Sequence, residues 1–488
     1  DVGGGEAMSS TRPWRAQRVL HPVPLNSVGD YCSSAGGLGL RAASTMSPAE
    51  IIEVVLASGL RGRGGAGFPV GRKWATVADN AVALGEAPSV VVNMAEGEPG
   101  TFKDRAIVRN NPYQVIEGAL IAAKAVGAVR IIIATKAEFA TEVARLRAAI
   151  DEVEGLGKVP DAVTISLFEG PSEYLYGEES ALLEAIDGRG TFPRVTPTYR
   201  VGLDGGEQFS RLGVGPALVN NLETIANVPK ILARGAAWFR RVGTTESPGT
   251  VVCTVTGDTR HHGVAEVRFG TSLGRVLRAI GGGAQRGRSV KAVLSGVANP
   301  VITGAQLSVP VSYEGMRSIG SGVGSAGFIV FDDLTDMVAV AAGVARFLSV
   351  ESCGQCSPCK HDGMRLATLL ASVAANTASE RELLEIDRKL GTVADGARCY
   401  LATQQEVLLR SILVAFGDEF DRHVTRALPP VGPTMIAELI DFEGGSTAGR
   451  AVLDERHRSK QPDWTFGERY SGHVPIEIRS TRHGSSVP

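Results

Sequence analysis

Cysteines at 353, 356, 359 and 399 constrain this chain more tightly than any other residues. Cys353, Cys356 and Cys359 form a C-x2-C-x2-C run, and Cys399 follows 40 residues after the third. One compact loop can offer three thiolates to three corners of a cubane. A distant fourth thiolate then completes the ligands of a 4Fe–4S cluster. Gly354 and Pro358 suit the turning backbone that such a loop needs. Structural zinc more often uses two paired C-x2-C halves, whereas the fourth cysteine here stands alone. Six cysteines in 488 residues fit a reducing compartment better than a disulfide framework. Chance clustering of buried thiols is the remaining alternative. Cys32 and Cys253 lie outside the spacing and read as isolated thiols.

The length exceeds what one core supports, and about three domains are expected. A formal net charge of −2 gives no bulk electrostatic case for nucleic acid or anionic lipid. The longest apolar run, Met337 to Val350, is cut by Gly343 and Arg346 and falls short of the ~20 residues that span a bilayer, so it reads as a core helix. Asp1 to Pro24 lacks a signal-peptide core, and Met8 reads as a natural start. A cytoplasmic protein without direct membrane insertion is expected.

Ser47-Pro48 before Ala-Glu-Ile-Ile-Glu-Val-Val-Leu-Ala-Ser-Gly59 predicts a capped helix over 47–60. Buried strands are expected at 89–93, 129–135 and 162–167, with helices at 113–128 and 138–153. This alternation implies an α/β layer with a mainly parallel sheet. The pattern changes near residue 245 to a small mixed β region with one helix at 272–280, then from 334 to almost all helix. The expected divisions are 1–45 (an N-terminal extension), 46–244, 245–333, 334–425 and 426–488 (a C-terminal tail).

Between the first helix and strand lies Arg61-Gly-Arg-Gly-Gly-Ala-Gly-Phe-Pro-Val-Gly71. Gly62, Gly64 and Gly67 satisfy G-x-G-x-x-G, but the loop follows a helix where a dinucleotide fingerprint follows a strand. Backbone N–H groups free of Cβ atoms could still close on a phosphate, and Arg72 and Lys73 add charge; a ligand-free turn is the alternative. Asn93 to Arg105 sits where a strand ends, the edge at which open α/β sheets bind ligands. Glu178 and Glu179 could complement a helix dipole or accept from ligand hydroxyls. Asn220 and Asn221 offer amides to a heterocycle edge.

In order, Gly59 to Pro69, Glu98 to Arg105, Tyr174 with Gly177-Glu-Glu, Val219-Asn-Asn with Thr224, and Glu351 to Cys359 resemble the NADH-binding flavoprotein subunits of respiratory complex I. They are similar too to diaphorase subunits of NAD-reducing hydrogenases and NAD-dependent formate dehydrogenases. The resemblance covers about residues 46–425. It implies a Rossmann-like flavin/nucleotide domain (46–244), a ubiquitin-like β-grasp soluble-ligand-binding domain (245–333) and a helical 4Fe–4S domain (334–425). It further implies FMN, a 4Fe–4S cluster held by Cys353, Cys356, Cys359 and Cys399, and NAD(H) as cofactors. The implied cofactor-binding residues are Gly62, Gly64, Gly65, Gly67, Phe68, Lys73, Asn93, Glu96, Glu98, Tyr174, Gly177, Glu178, Glu179, Tyr199, Val219, Asn220, Asn221 and Thr224. Among these, Glu179 would orient the nicotinamide, Phe68 would pack the base, and Glu96 and Glu98 would face the ribose and adenosine side.

The activity implied is NADH oxidation at FMN with single electrons passed on to quinone reductase, hydrogenase or formate dehydrogenase partners. Those partners would include a separate thioredoxin-like 2Fe–2S subunit and further iron–sulfur electron-transfer subunits, which could hold the chain at the inner face of a membrane. The chain departs from the family pattern at Ala95, where an aspartate is usual, at Thr196 for lysine and Tyr199 for phenylalanine, and at Tyr400-Leu-Ala for Pro-Leu-Gly. The stretch from Tyr199 to Gly213 is also longer than usual. A donor other than NADH, or a scaffold paralogue without flavin, are the competing readings.

Overall fold

The computed structural model of the chain describes residues 16–204, 215–462 and 464. Met8, most of the Tyr199–Gly213 stretch and the tail from 465 onward lie outside the described residues.

Ser47 caps the Pro48–Ser58 helix in a reciprocal box with Glu50, and Gly59 ends it at φ +70°. Both features follow from side-chain chemistry: a hydroxyl accepts from an orphan amide, and glycine enters the left-handed region without a Cβ penalty. The first sheet is built from β1 (Ser89–Met94), β2 (Arg130–Lys136), β3 (Thr164–Gly170) and β4 (Ala217–Asn221). All four strands run parallel in the order β3-β2-β1-β4. Successive residues alternate between two cores. Val90, Val92, Ile131 and Ile133 face the helices Pro48–Ser58, Val70–Leu84, Pro112–Val126 and Leu222–Arg234. Val91, Ile132, Ala134 and Val219 face Tyr176, Leu182 and Leu183 on the other side. A sheet covered on both faces needs apolar residues at every position, which explains the unbroken Val and Ile runs.

The chain moves outward from β1 to β2 to β3, then returns to lay β4 on the opposite side of β1. This reversal opens a crevice at the C-terminal ends of β1 and β4, where Asn93 pairs in register with Asn221.

A second sheet contains β5 (Thr250–Gly257), β6 (Gly263–Arg268), β7 (Val290–Ser295), β8 (Ile302–Thr303) and β9 (Gly327–Asp332) in the order β6-β5-β9-β7-β8. Only β5 and β9 pair in parallel. One amphipathic helix, Leu273–Gly281, packs Leu273, Val276, Leu277 and Ile280 on this sheet. The helices Met337–Val350, Ser357–Ala374, Glu380–Leu390 and Leu401–Val424 then share one apolar core.

Val19, Leu25 and Tyr31 from the N-terminal segment enter the core of the parallel sheet, as do Leu439 and Phe442 from the C-terminal one. The latter two belong to a two-stranded hairpin, β10 (Leu439–Glu443) and β11 (Arg450–Leu453).

Candidate functional site

The crevice between β1 and β4 widens into two adjoining chambers. The larger, about 630 Å3, runs from Gly64-Gly65-Ala66 past Asn93, Glu96 and Glu98 to Tyr174, Cys399 and Gln404. The smaller, about 240 Å3, holds Gly62, Gly67, Phe68, Lys73, Glu179, Val219, Asn220 and Thr224. Gly64, Gly65, Asn93, Gly177 and Asn221 line both. Glu178 lines the larger chamber. Of the residues implied by resemblance to meet a cofactor, Tyr199 stands apart, half-buried against the parallel-sheet core. Thr196 is exposed and lines neither chamber. Ala95 lines the larger chamber, and its backbone N–H donates to Asn93 Oδ1 at 3.0 Å.

The glycine loop is a closed turn. Arg61 bridges to Pro69, Arg61 Nε donates to the Gly67 carbonyl at 2.7 Å, and Tyr313 Oη donates to the Gly62 carbonyl at 2.6 Å. It follows a helix, as the sequence indicates, and leads straight into the Val70–Leu84 helix. Glycine is required at 67, where φ is +63° and a Cβ would fall 2.4 Å from the Tyr313 ring. The other side of the crevice is similarly fixed. Asn93 Nδ2 donates to the Gly177 carbonyl, and a Cβ on Gly177 would approach the Ala95 carbonyl to 2.9 Å. Trp74, fully buried, donates to Asn220 Oδ1 at 2.8 Å.

The carboxylates have distinct settings. Glu178 caps the Glu179–Ile186 helix, accepting from the amides of Ser180 and Ala181. Its neighbour Glu179 accepts from Lys73 at 2.6 Å and Thr198 at 2.7 Å. Glu96 is buried against Arg105 Nε at 3.0 Å. Glu98 accepts from Tyr174 Oη and from the Val297 amide, both at 2.6 Å, and burial raises its pKa. It thereby ties the β1 loop to the second sheet.

Lys103 and Asp104 line the larger chamber too; they fall inside the Glu98–Arg105 motif but were given no role from sequence. Lys103 is fully buried, 2.8 Å from Asp104, 3.1 Å from Glu223 and 3.0 Å from Asn221 Oδ1. Burial alone would lower its pKa, but the carboxylates of Asp104, Glu223 and Glu96 outweigh that and raise it, so the ammonium stays charged. The Thr101-Phe-Lys-Asp-Arg105 motif that contains them was a signal, but nothing local shows that Glu223 would meet this lysine.

The four cysteines gather where the helical region meets the crevice. Cys353 and Cys356 lie in the turn after Met337–Val350, Cys359 in the first turn of Ser357–Ala374, and Cys399 just before Leu401–Val424. They line one small pocket with Leu175, Ser352 and Leu401. Burial pushes the Cys359 thiol up to about 11 and the Cys399 thiol up to about 12. Neutral thiols are therefore favoured here unless a cationic centre takes the thiolates, as a metal does. Among the described residues, no three His, Cys, Asp or Glu side chains converge on a point that could hold one metal ion. Four thiols around one pocket offer one sulfur to each iron of a 4Fe–4S cluster.

Cys399, Leu175 and Leu401 line both this pocket and the larger chamber. The two sites thus share a wall one side chain thick.

Comparison with known proteins bears on the same two regions. Residues 55–230 match the Nuo51 FMN-binding domain, and residues 339–423 match the NADH-ubiquinone oxidoreductase-F iron-sulfur binding region. The second F-type NADH-quinone oxidoreductase chain of Rhizobium meliloti (strain 1021) is 36% identical over 423 residues, covering 83% of this chain and 98% of its own. NADP-reducing hydrogenase subunit HndC of Solidesulfovibrio fructosivorans is 34% identical over 406 residues, covering 82% of this chain and 81% of its own. Among solved structures, the NAD+-reducing [NiFe]-hydrogenase in the H2-reduced state contains a chain with TM-score 0.72 and 30% identity, covering 84% of this chain and 67% of that one.

Proposed function

The chain belongs to the family of F-type NADH-quinone oxidoreductase chains, and from that premise we propose that it is an electron-entry flavoprotein that oxidises NADH. Bound FMN would accept hydride from NADH and yield its electrons singly to a 4Fe–4S cluster, chemistry that belongs to the cofactors. The residues present fit both groups. The glycine loop leaves backbone free of Cβ atoms beside Asn221. Four thiols surround the second pocket.

Within that reading, Gly62, Gly64, Gly65 and Gly67 form the cradle, with Lys73 adding positive charge. Asn93, Asn220 and Asn221 present amides at the strand ends. Thr224 Oγ1 accepts from the Arg63 amide at 2.8 Å and holds the loop against the Leu222–Arg234 helix. Glu179, oriented by Lys73 and Thr198, is the candidate for positioning the nicotinamide. Phe68, 55% exposed at the mouth, offers a face for a base to stack on. Cys353, Cys356, Cys359 and Cys399 would hold the cluster. The single observation that carries the proposal is the shared wall at Cys399, which brings a cluster ligand to the lining of the flavin chamber.

For residues 245–333, the β-grasp reading is supported by the strand order β6-β5-β9-β7-β8 with its parallel central pair and single packed helix. The change from the parallel sheet to the mixed sheet and then to helices supports domain limits of 46–244, 245–333 and 334–425. Multi-subunit iron–sulfur partners are inferred from the complex I and hydrogenase relatives, with a thioredoxin-like 2Fe–2S chain as the expected neighbour. No helix among the described residues is long and apolar enough to cross a membrane, so membrane association would come through those partners.

The test is an anaerobic absorbance spectrum of the purified chain before and after NADH, with NADPH as a parallel arm. Bleaching of a flavin band by NADH, with FMN and iron recovered, is expected. A flavin and cluster unmoved by NADH would point to another donor, and absence of flavin would make the chain a scaffold.

A further inference from the structure

A second concavity, about 300 Å3, lies on the mixed sheet and shares no lining residue with the crevice. Its walls are Leu277, Leu307 and Val290, and its rim carries Arg260, Arg278 and Arg288 with no carboxylate in the lining. The local sequence is strongly biased. Between Thr259 and Val290 there are six arginines and one acid, Glu266, in a chain otherwise balanced at 50 basic against 52 acidic residues. Glu266 does not offset them, because it is buried and accepts from the amides of Arg18, Val19 and Leu20.

The pocket is built rather than incidental. Gly282 and Gly283 turn the chain after the Leu273–Gly281 helix at φ +73° and +80°. A Cβ on Gly282 would lie 3.2 Å from Arg260 Cβ, and one on Gly283 would lie 3.4 Å from Arg278 Cγ. The two arginine stems therefore flank the glycine pair. The Arg260 amide donates to the Gly283 carbonyl at 3.1 Å, and Gln285 Nε2 donates to the Thr259 carbonyl at 2.5 Å, pinning the turn to the β5–β6 connection. Among the described residues neither the Arg260 nor the Arg278 guanidinium has a hydrogen bond or ion pair, and Arg288 is 3.8 Å from Asp333.

Two exposed guanidiniums without counter-charges, lining one concavity with a third that only loosely meets Asp333, repel one another, and an anion relieves that repulsion. One bland role exists for Arg278: at a helix C-terminus it complements the dipole, but that end carries only about half a negative charge against the two unpaired positive ones of Arg260 and Arg278. Guanidinium forks match phosphate oxygens in pairs, which favours phosphate over a simple halide. The volume is at the small end of the ~300–1,000 Å3 range for small-molecule sites. We propose that this pocket binds a small phosphate-rich anion, a diphosphate group carrying a compact organic moiety, independently of the flavin crevice.

The experiment is calorimetric titration of the full cofactor-loaded chain with pyrophosphate, then with ADP, at physiological salt. One pyrophosphate per chain is expected. Binding should weaken about 100-fold in the Arg260→Gln/Arg278→Gln double variant, roughly tenfold for each guanidinium removed. Flavin and iron content should be unchanged, because both side chains are exposed. Absence of saturable pyrophosphate binding overturns the proposal. Binding undiminished in the double variant also overturns it, since the ion then sits elsewhere. If pyrophosphate fails but the variant loses affinity for polyglutamate, the face is a docking surface for an acidic protein and the small-ligand assignment falls.

Discussion

The crevice and the arginine pocket treat charge in opposite ways. In the crevice, Lys103 is buried among Asp104 and Glu223, Arg105 is buried against Glu96, and Lys73 reaches Glu179. On the mixed sheet, Arg260 and Arg278 are exposed and unpaired among the described residues. Buried pairs fix loops in one geometry, because losing either partner strands a charge in low dielectric. Exposed arginines cost almost nothing to keep and stay available to a ligand. The same residue types therefore serve as framework in one place and as recognition surface in the other.

The sharpest way to break this comparison is Lys103→Met. It strands Asp104 and Glu223 without their cation and should destabilise the chain by about 3–5 kcal/mol. Urea unfolding checks it, and a loss below about 1 kcal/mol would mean the buried charges are not structural. Next comes Glu98→Ala, which leaves the Val297 amide without its partner and the Tyr174 hydroxyl with Gln404 alone. A loss of about 1–3 kcal/mol is expected, with weaker flavin retention on gel filtration because the loop that carries Glu98 loses its tie to the second sheet.

A third prediction concerns pH. Burial raises Glu438, despite Lys136, from its ordinary 4.5 to about 7. Between those values the folded chain keeps a proton that the unfolded chain has released, so this group's contribution to stability falls as pH rises. Melting temperatures of wild type and Glu438→Gln, compared from about pH 4.5 to 7, should show the wild type losing ground steadily across that window. A constant difference would sink the assignment. The smallest effect is expected for Arg278→Gln: less than about 0.5 kcal/mol in unfolding, because the side chain is exposed and unpaired. A larger loss would show that the arginine pocket is framework too.

Much of the architecture was legible where local chemistry decides it. The Ser47 cap, the Gly59 stop and the Val–Ile runs of β1 and β2 carry their own signals, and the structure places each within a residue or two of its expected position. Ala217–Asn221 was read only as a ligand loop, because the strand is short and ends in two asparagines, residues that ordinarily favour turns. β9 went unread although Gly-Phe-Ile-Val-Phe-Asp is a plain apolar run, since its role depends on pairing with β5 more than 70 residues earlier. The resemblance named glycines, asparagines and cysteines that the structure gathers around adjoining pockets. Lys103, by contrast, depends on Glu223, and no pattern along the chain announces a contact of that span.

The C-terminal segment carries one more consequence. Lys136, at the end of β2, is fully buried and donates to Glu438 at 2.7 Å, 302 residues further on. Glu351, just ahead of the cysteine turn, is likewise paired with Lys460 at 2.7 Å. During synthesis at ~5–20 residues per second, roughly 15–60 s pass between emergence of that buried lysine and of its partner. The segment that leads into the hairpin must therefore be made before Lys136 meets its carboxylate partner, so this part of the fold closes late in synthesis.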